Sequence, residues 1–224
     1  MAGAPSQIMG FAFAKCRLSQ TMNARSTLTR ADYENYLVYL YFGSNQDLLK
    51  ACINRAYRDF NRTMHGFGKF DKAGQLYDEA VILLKESFDS LKSLSSADSM
   101  TAEVFDRWHK TTCEKITSLF DGQGFHLFIG QAQKWINMTL KYIFTIGERR
   151  IQGFGPAYPF CHVPLDKVLL EQLEKYDFPG LECAWSHLDN YDVYVQRQNW
   201  LRQKFSLAPM DVEFSLWLGK EIEG

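Results

Sequence analysis

The stretches Gly130-Gln131-Ala132-Gln133-Lys134-Trp135-Ile136-Asn137 and His162-Val163-Pro164-Leu165-Asp166 decide how this chain reads, because Asp166 follows Lys134 by 32 residues and each of the two opens a helix. Lys134 sits one turn inside a helix that starts immediately after Gly130, where free backbone amides favour an anion and the helix dipole disfavours an ammonium. Pro164-Leu165-Asp166 ahead of Lys167-Val168-Leu169-Leu170 is a helix-cap sequence, and aspartate is among the preferred caps. An amine from one helix and a carboxylate from the next can converge on one electrophilic carbon, the amine as nucleophile and the carboxylate as counter-charge. The plainer readings are a solvated surface lysine and a capping aspartate with no further task.

Working outward, the segment from Phe120 through Asp121-Gly122-Gln123-Gly124 to Gly130 joins two helices as a hairpin, and Gly130 permits close backbone approach by a ligand such as a phosphate. The rest of the chain also has helical periodicity, with little strand-type alternation, so the expected fold class is all-α. Thr29, with Asp32 three positions on, caps a helix through Tyr33, Tyr36, Leu37 and Leu40 that Gly43 ends. Ser44 and Asp47 open a second through Leu48, Leu49, Ile53, Tyr57 and Phe60. Its exit is the glycine-bearing stretch His65-Gly66-Phe67-Gly68-Lys69. Further helices are expected over about 73–91, 101–120, 131–146, 165–176, 188–205 and 212–218, and the polar stretch 93–99 is the expected lobe boundary.

Composition bounds the function classes. The 224 residues, 46% of them hydrophobic, suffice for one sizeable core, and the chain reads as a single domain over 1–224. Its 25 basic and 26 acidic residues leave a net charge of −1, so no overall basic balance announces a nucleic-acid coat protein. Cys16, Cys52, Cys113, Cys161 and Cys183 are scattered, without a Cys-x-x-Cys pair, which fits a reduced cytoplasm and leaves no four-cysteine iron–sulfur loop. No metal-ligand pair of histidines stands at helical spacing, no run is long enough to span a membrane, and positions 1–14 lack the basic start of a signal peptide.

Val163-Pro164-Leu165-Asp166 resembles the Val-Pro-Val-Asp signature of helix-hairpin-helix DNA glycosylases, in which the aspartate follows a hairpin and a catalytic lysine. The Lys134 to Asp166 spacing, with a second lysine one heptad on at Lys141, is most similar to the archaeal 8-oxoguanine DNA glycosylase branch, and the resemblance covers about residues 121–175. In general plan the chain also resembles bacterial antiphage glycosylases that release glucosylated hydroxymethylcytosine from phage DNA. The resemblance implies two helical lobes with a cleft between them, a helix-hairpin-helix region over about 101–146, Lys134 and Asp166 as catalytic pair, and double-stranded DNA as partner of a cytoplasmic monomer. No cofactor and no metal are implied.

Excision of a base requires its extrusion from the duplex and flat surfaces to hold it. Trp135, Trp185 and Trp217 are the candidates for stacking, although most aromatic residues in such a chain are core. Gln131, Gln133 and Asn137 flank Lys134 and either read base edges or are solvated, Gly130 meets the DNA backbone, and Asp59 and Arg62 belong to a polar run across the cleft. Met138 reads as core. That polar set suits a bulky, sugar-bearing base, so the expectation is release of a modified base from phage DNA, with repair of 8-oxoguanine as the alternative. Two rivals remain. Arg58 and His65, with six residues between them, resemble the Arg/His pair of all-helical ribonucleases, and a non-enzymatic helical interaction module accounts for the neutral charge.

Overall fold

A computed structural model describes residues 27–95 and 100–223. Cys16, the 1–14 segment and positions 96–99 of the expected lobe boundary lie outside the described residues. Among the described residues the fold is all-helical and contains no strand. Eight α-helices follow in order: α1 (Arg30–Phe42), α2 (Leu48–Phe60), α3 (Ala73–Ser95), α4 (Ala102–Gly122), α5 (Ile129–Ile146), α6 (Lys167–Leu173), α7 (Tyr191–Lys204) and α8 (Pro209–Trp217). Ser93, Leu94 and Ser95 still belong to α3, so the boundary expected at 93–99 does not begin where the serine-rich composition suggested.

The starts follow the local sequence. Thr29 and Asp32 form a reciprocal capping box on α1, which ends at Gly43 in the left-handed region (φ 75°). Asp47 accepts the Lys50 amide on α2 and Thr101 the Val104 amide on α4. The Tyr33, Tyr36, Leu37 and Leu40 positions are helical as expected but lie exposed, at 44–64%, and Phe42 is the buried residue of α1. The cause is in the pattern: Arg30, Asp32, Glu34 and Asn35 crowd the first half of α1 and the apolar residues of its second half are spread around the helix, so its sequence defines no stripe to face the core.

α5 is the axis of the molecule. Every residue from 129 to 143 is buried, with α2, α4 and the turn Trp185–His187 against it. Trp135 fills the α2 side, its ring among Tyr57, Phe60 and Tyr77, and its indole N–H donates to Ile53 O at 2.9 Å. A helix surrounded on every face is ordinarily apolar throughout. This one carries Gln131, Gln133, Lys134, Asn137, Thr139 and Lys141, and each must therefore find a partner inside the protein.

The α4–α5 connection is held by His126, whose two ring nitrogens lie 2.9 Å from Asp121 and 3.1 Å from Asp189. Gly124 (φ 87°) makes the turn. The hairpin is thus tied to the segment leading into α7 as well as to its own helix.

Candidate functional site

The segment 162–166 crosses between α5 and α7 as extended chain, and two buried glutamines hold it. Gln133 of α5 accepts the Leu165 N–H at 3.2 Å and donates to Leu165 O at 2.9 Å. Gln198 of α7 does the same to Val163, accepting its N–H at 3.0 Å and donating to its carbonyl at 2.9 Å. Each carboxamide stands where a neighbouring strand's peptide group would, so a short piece of non-helical backbone is satisfied in an all-helical core. Asn137 adds a bond to Val163 O and contacts Tyr194 and His109.

His162 anchors the start of the segment. Its Nε2 lies 2.8 Å from Asp106 and its Nδ1 3.0 Å from the Tyr194 hydroxyl, and the ring is fully buried. Burial holds the imidazole neutral, with its pKa lowered to about 4. His109, stacked on Tyr194 and beside His162, is lowered by the same desolvation. Asp106 is kept well below the usual carboxylate range despite its own burial, because His162 and the forked Arg202 guanidinium bond it. The motif's histidine is therefore a structural post, and the network fixes the chain that delivers Asp166.

At the end of that segment Asp166 caps α6. Its Oδ1 accepts the Leu169 amide at 2.9 Å, and its Oδ2 meets Lys134 Nζ in a short contact. The two side chains are 5% and 15% exposed, so the pair is nearly withdrawn from water. The capping and facing roles are divided between the two oxygens of one carboxylate. Lys141, two turns further along α5, repeats the arrangement with Glu213 of α8, Nζ to Oε1 2.7 Å.

The other expected site residues are placed differently. Gly130 is not open to a ligand: its N–H donates to Leu188 O at 2.7 Å, and a Cβ there would lie 1.7 Å from Trp185 O. Its glycine identity serves the protein's own Trp185–His187 turn, which covers the start of α5. Gln131 donates to Thr63 and accepts from the Phe128 amide. Gln133, Asn137 and Trp135 are fully buried, with their polar atoms committed as described. These five residues thus build the frame around Lys134, and the expectation that they read a base or a DNA backbone is corrected: a central helix must satisfy its polar side chains internally. Met138, at 7% exposure, packs in the core as expected.

Asp59 is partly exposed and bonds Arg55 at 3.0 Å and the Tyr142 hydroxyl, while the Arg55 guanidinium lies over the Tyr41 ring. Arg58 is exposed in the last turn of α2, and Arg62 and His65 are exposed on the segment after it. Trp185 is half-buried and lines a groove with Leu170, Glu174, Phe178 and Leu181. Trp217 is 52% exposed, and Lys141 Nζ lies 4.9 Å from its ring centroid. Among the described residues no group of three or more His, Cys, Asp or Glu side chains is arranged to hold a metal ion, and no helix is long and apolar enough to cross a membrane.

Sequence reasoning missed Glu213, Gln198 and the Asp106–Arg202 pair. Glu213 carried no local signal of burial, because Asp211 and Ser215 in the same short helix make α8 read as partly polar. Comparisons of the chain with protein-family models, with curated proteins and with solved structures match nothing, so the site is read from its own geometry.

Proposed function

We propose that the protein is a DNA glycosylase that extrudes a modified base from double-stranded DNA and excises it, leaving an abasic site. One observation carries this reading: Lys134 and Asp166, singled out by motif and spacing, meet in a nearly dry contact at the starts of two successive helices. The remaining polar groups of the motif segment serve to hold that contact in place.

In this reading the two lobes are α1 to α3 and α4 to α8, on either side of the stretch 93–99, with the sugar entering between α5 and α6. Cleavage of the glycosidic bond develops positive charge on the anomeric carbon, and the Asp166 carboxylate stabilises it. Lys134 passes a proton by way of Asp166 Oδ2 to the base, which departs with the electron pair of the old bond. Asp166 is thereby returned to the carboxylate, the Lys134 amine forms the new nitrogen–carbon bond, and opening of the sugar ring, with loss of the nitrogen's proton to water, gives the Schiff base that borohydride reduces. The substrate is a modified cytosine of phage DNA, removed in a cytoplasmic defence role by a monomer. Repair of 8-oxoguanine is the second reading; it rests on the same pair, with Lys141 one heptad on.

Borohydride reduction tests the covalent step. Incubation with a duplex bearing a glucosylated hydroxymethylcytosine, in the presence of borohydride, is expected to trap a protein–DNA adduct that Lys134→Gln does not form. Base release without an adduct would assign Asp166 to the activation of water instead. Turnover of an 8-oxoguanine duplex, with none of the phage-type base, would select the repair reading.

A further inference from the structure

The Lys141–Glu213 pair has no part in the chemistry just described, yet it is built to the same standard. Glu213 is 1% exposed, and only its Oε1 is satisfied, by Lys141. Its Oε2 is fully enclosed and has no hydrogen-bond partner. A buried carboxylate oxygen without a partner is costly, and native proteins keep few of them unless a ligand completes the site. Burial raises the Glu213 pKa against the opposing pull of Lys141, and the charges of Lys134 and Asp166 also reach this carboxyl.

Position along α5 says what the pair can meet. Seven residues of α-helix rise about 10.5 Å and return to nearly the same face, so Lys141 stands on the Lys134 side of the helix, two turns away. A nucleotide whose anomeric carbon is at Lys134 and Asp166 projects its base away from that carbon, and the polar edge of a base directed along α5 reaches toward Lys141 and Glu213. The exposed Trp217 ring borders the same place, against the Lys141 ammonium.

Resting on the glycosylase reading, we infer that Glu213 and Lys141 are the specificity-determining end of the base pocket, with Glu213 Oε2 accepting a hydrogen bond from the exocyclic amine of a cytosine-type base. Lys141 fixes the Glu213 rotamer through Oε1 and presents a donor to an adjacent ring acceptor. A carboxylate accepting from the cytosine amine is an established pairing in direct readout of bases. It also separates cytosine from its deaminated form, in which a carbonyl replaces the amine and would face the carboxylate acceptor to acceptor.

The test uses two duplexes identical except for one base, glucosylated hydroxymethylcytosine or glucosylated hydroxymethyluracil, and a third carrying a preformed abasic site. Relative to wild type, Glu213→Gln is expected to shift the cytosine-to-uracil ratio of single-turnover rates by about tenfold toward uracil, because the carboxamide can offer a donor where the carboxylate had an acceptor. Borohydride trapping on the abasic duplex, which contains no base to read, is expected to be unchanged. The double variant Lys141→Met, Glu213→Leu replaces the ion pair with apolar groups and guards against loss of fold; it is expected to lose the discrimination and keep the trapping. An unchanged ratio in both variants, with wild-type release intact, overturns this inference alone. Parallel loss of release and abasic trapping in both variants assigns the pair to stability and also overturns it. A wild-type protein inert on all three duplexes overturns the glycosylase reading together with the inference that depends on it.

Discussion

Gly130 shows how one residue type can be read correctly for its geometry and wrongly for its partner. Close approach of backbone to Gly130 was legible in the sequence, but the approaching group is the Trp185 carbonyl rather than a ligand. A methyl group placed 1.7 Å from that oxygen forces the Trp185–His187 turn off α5, together with the Leu188 O bond to the Gly130 amide. Gly130→Ala is therefore expected to cost about 1–3 kcal/mol, the range of overpacked interiors, read as a lower urea midpoint with an unchanged slope. A neutral substitution would mean that the turn moves freely and that the start of α5 is open after all. Asp166 is the converse case: both sequence readings, cap and facing carboxylate, hold at once because a carboxylate has two oxygens.

Among the elements, α5 and the segment 162–166 explain what the sequence could and could not show. Caps and periodicity gave the helices to within a few residues, since Thr29, Asp47 and Thr101 act locally. The polar residues of α5 looked like a solvated or substrate-reading face. Nothing local says that Gln133 and Asn137 have buried partners 32 and 57 residues away. Nor does a histidine before Val-Pro announce a buried post between Asp106 on one side and Tyr194 on the other, with Arg202 beyond.

That post has a pH signature. His162 has a pKa of about 4 in the folded protein against 6.5 as the ordinary value. As pH falls from about 6.5 toward 4, the unfolded chain takes up a proton that the folded protein refuses, so stability is lost through this window and this group adds no further loss below it. His109 acts in the same direction. Denaturant unfolding at stepped pH is expected to show stability rising from pH 4 to 6.5, with the slope reduced in His162→Gln; a flat profile would mean that the ring is protonated in the folded state.

At the scale of the whole molecule, the all-helical class was legible because periodicity and caps agree along the chain. The serine-rich stretch was less legible, because its first residues, Ser93, Leu94 and Ser95, are the end of α3. A net charge of −1 also fits a protein whose chemistry is confined to a few buried groups better than one that coats a phosphate backbone. In the proposed function Asp166 acts on a sugar as well as capping a short helix. Scoring abasic sites in glucosylated and unglucosylated DNA of the same phage, with wild type and Asp166→Asn, tests it most directly. The asparagine keeps a capping oxygen but leaves the buried Lys134 ammonium without its counter-charge, so the variant is expected to unfold at a lower temperature than wild type, and the assay is run where its helical circular dichroism matches that of wild type. Abasic sites only in glucosylated DNA and only with wild type are the predicted result; equal scores for wild type and variant, or no sites in either DNA, would contradict the account.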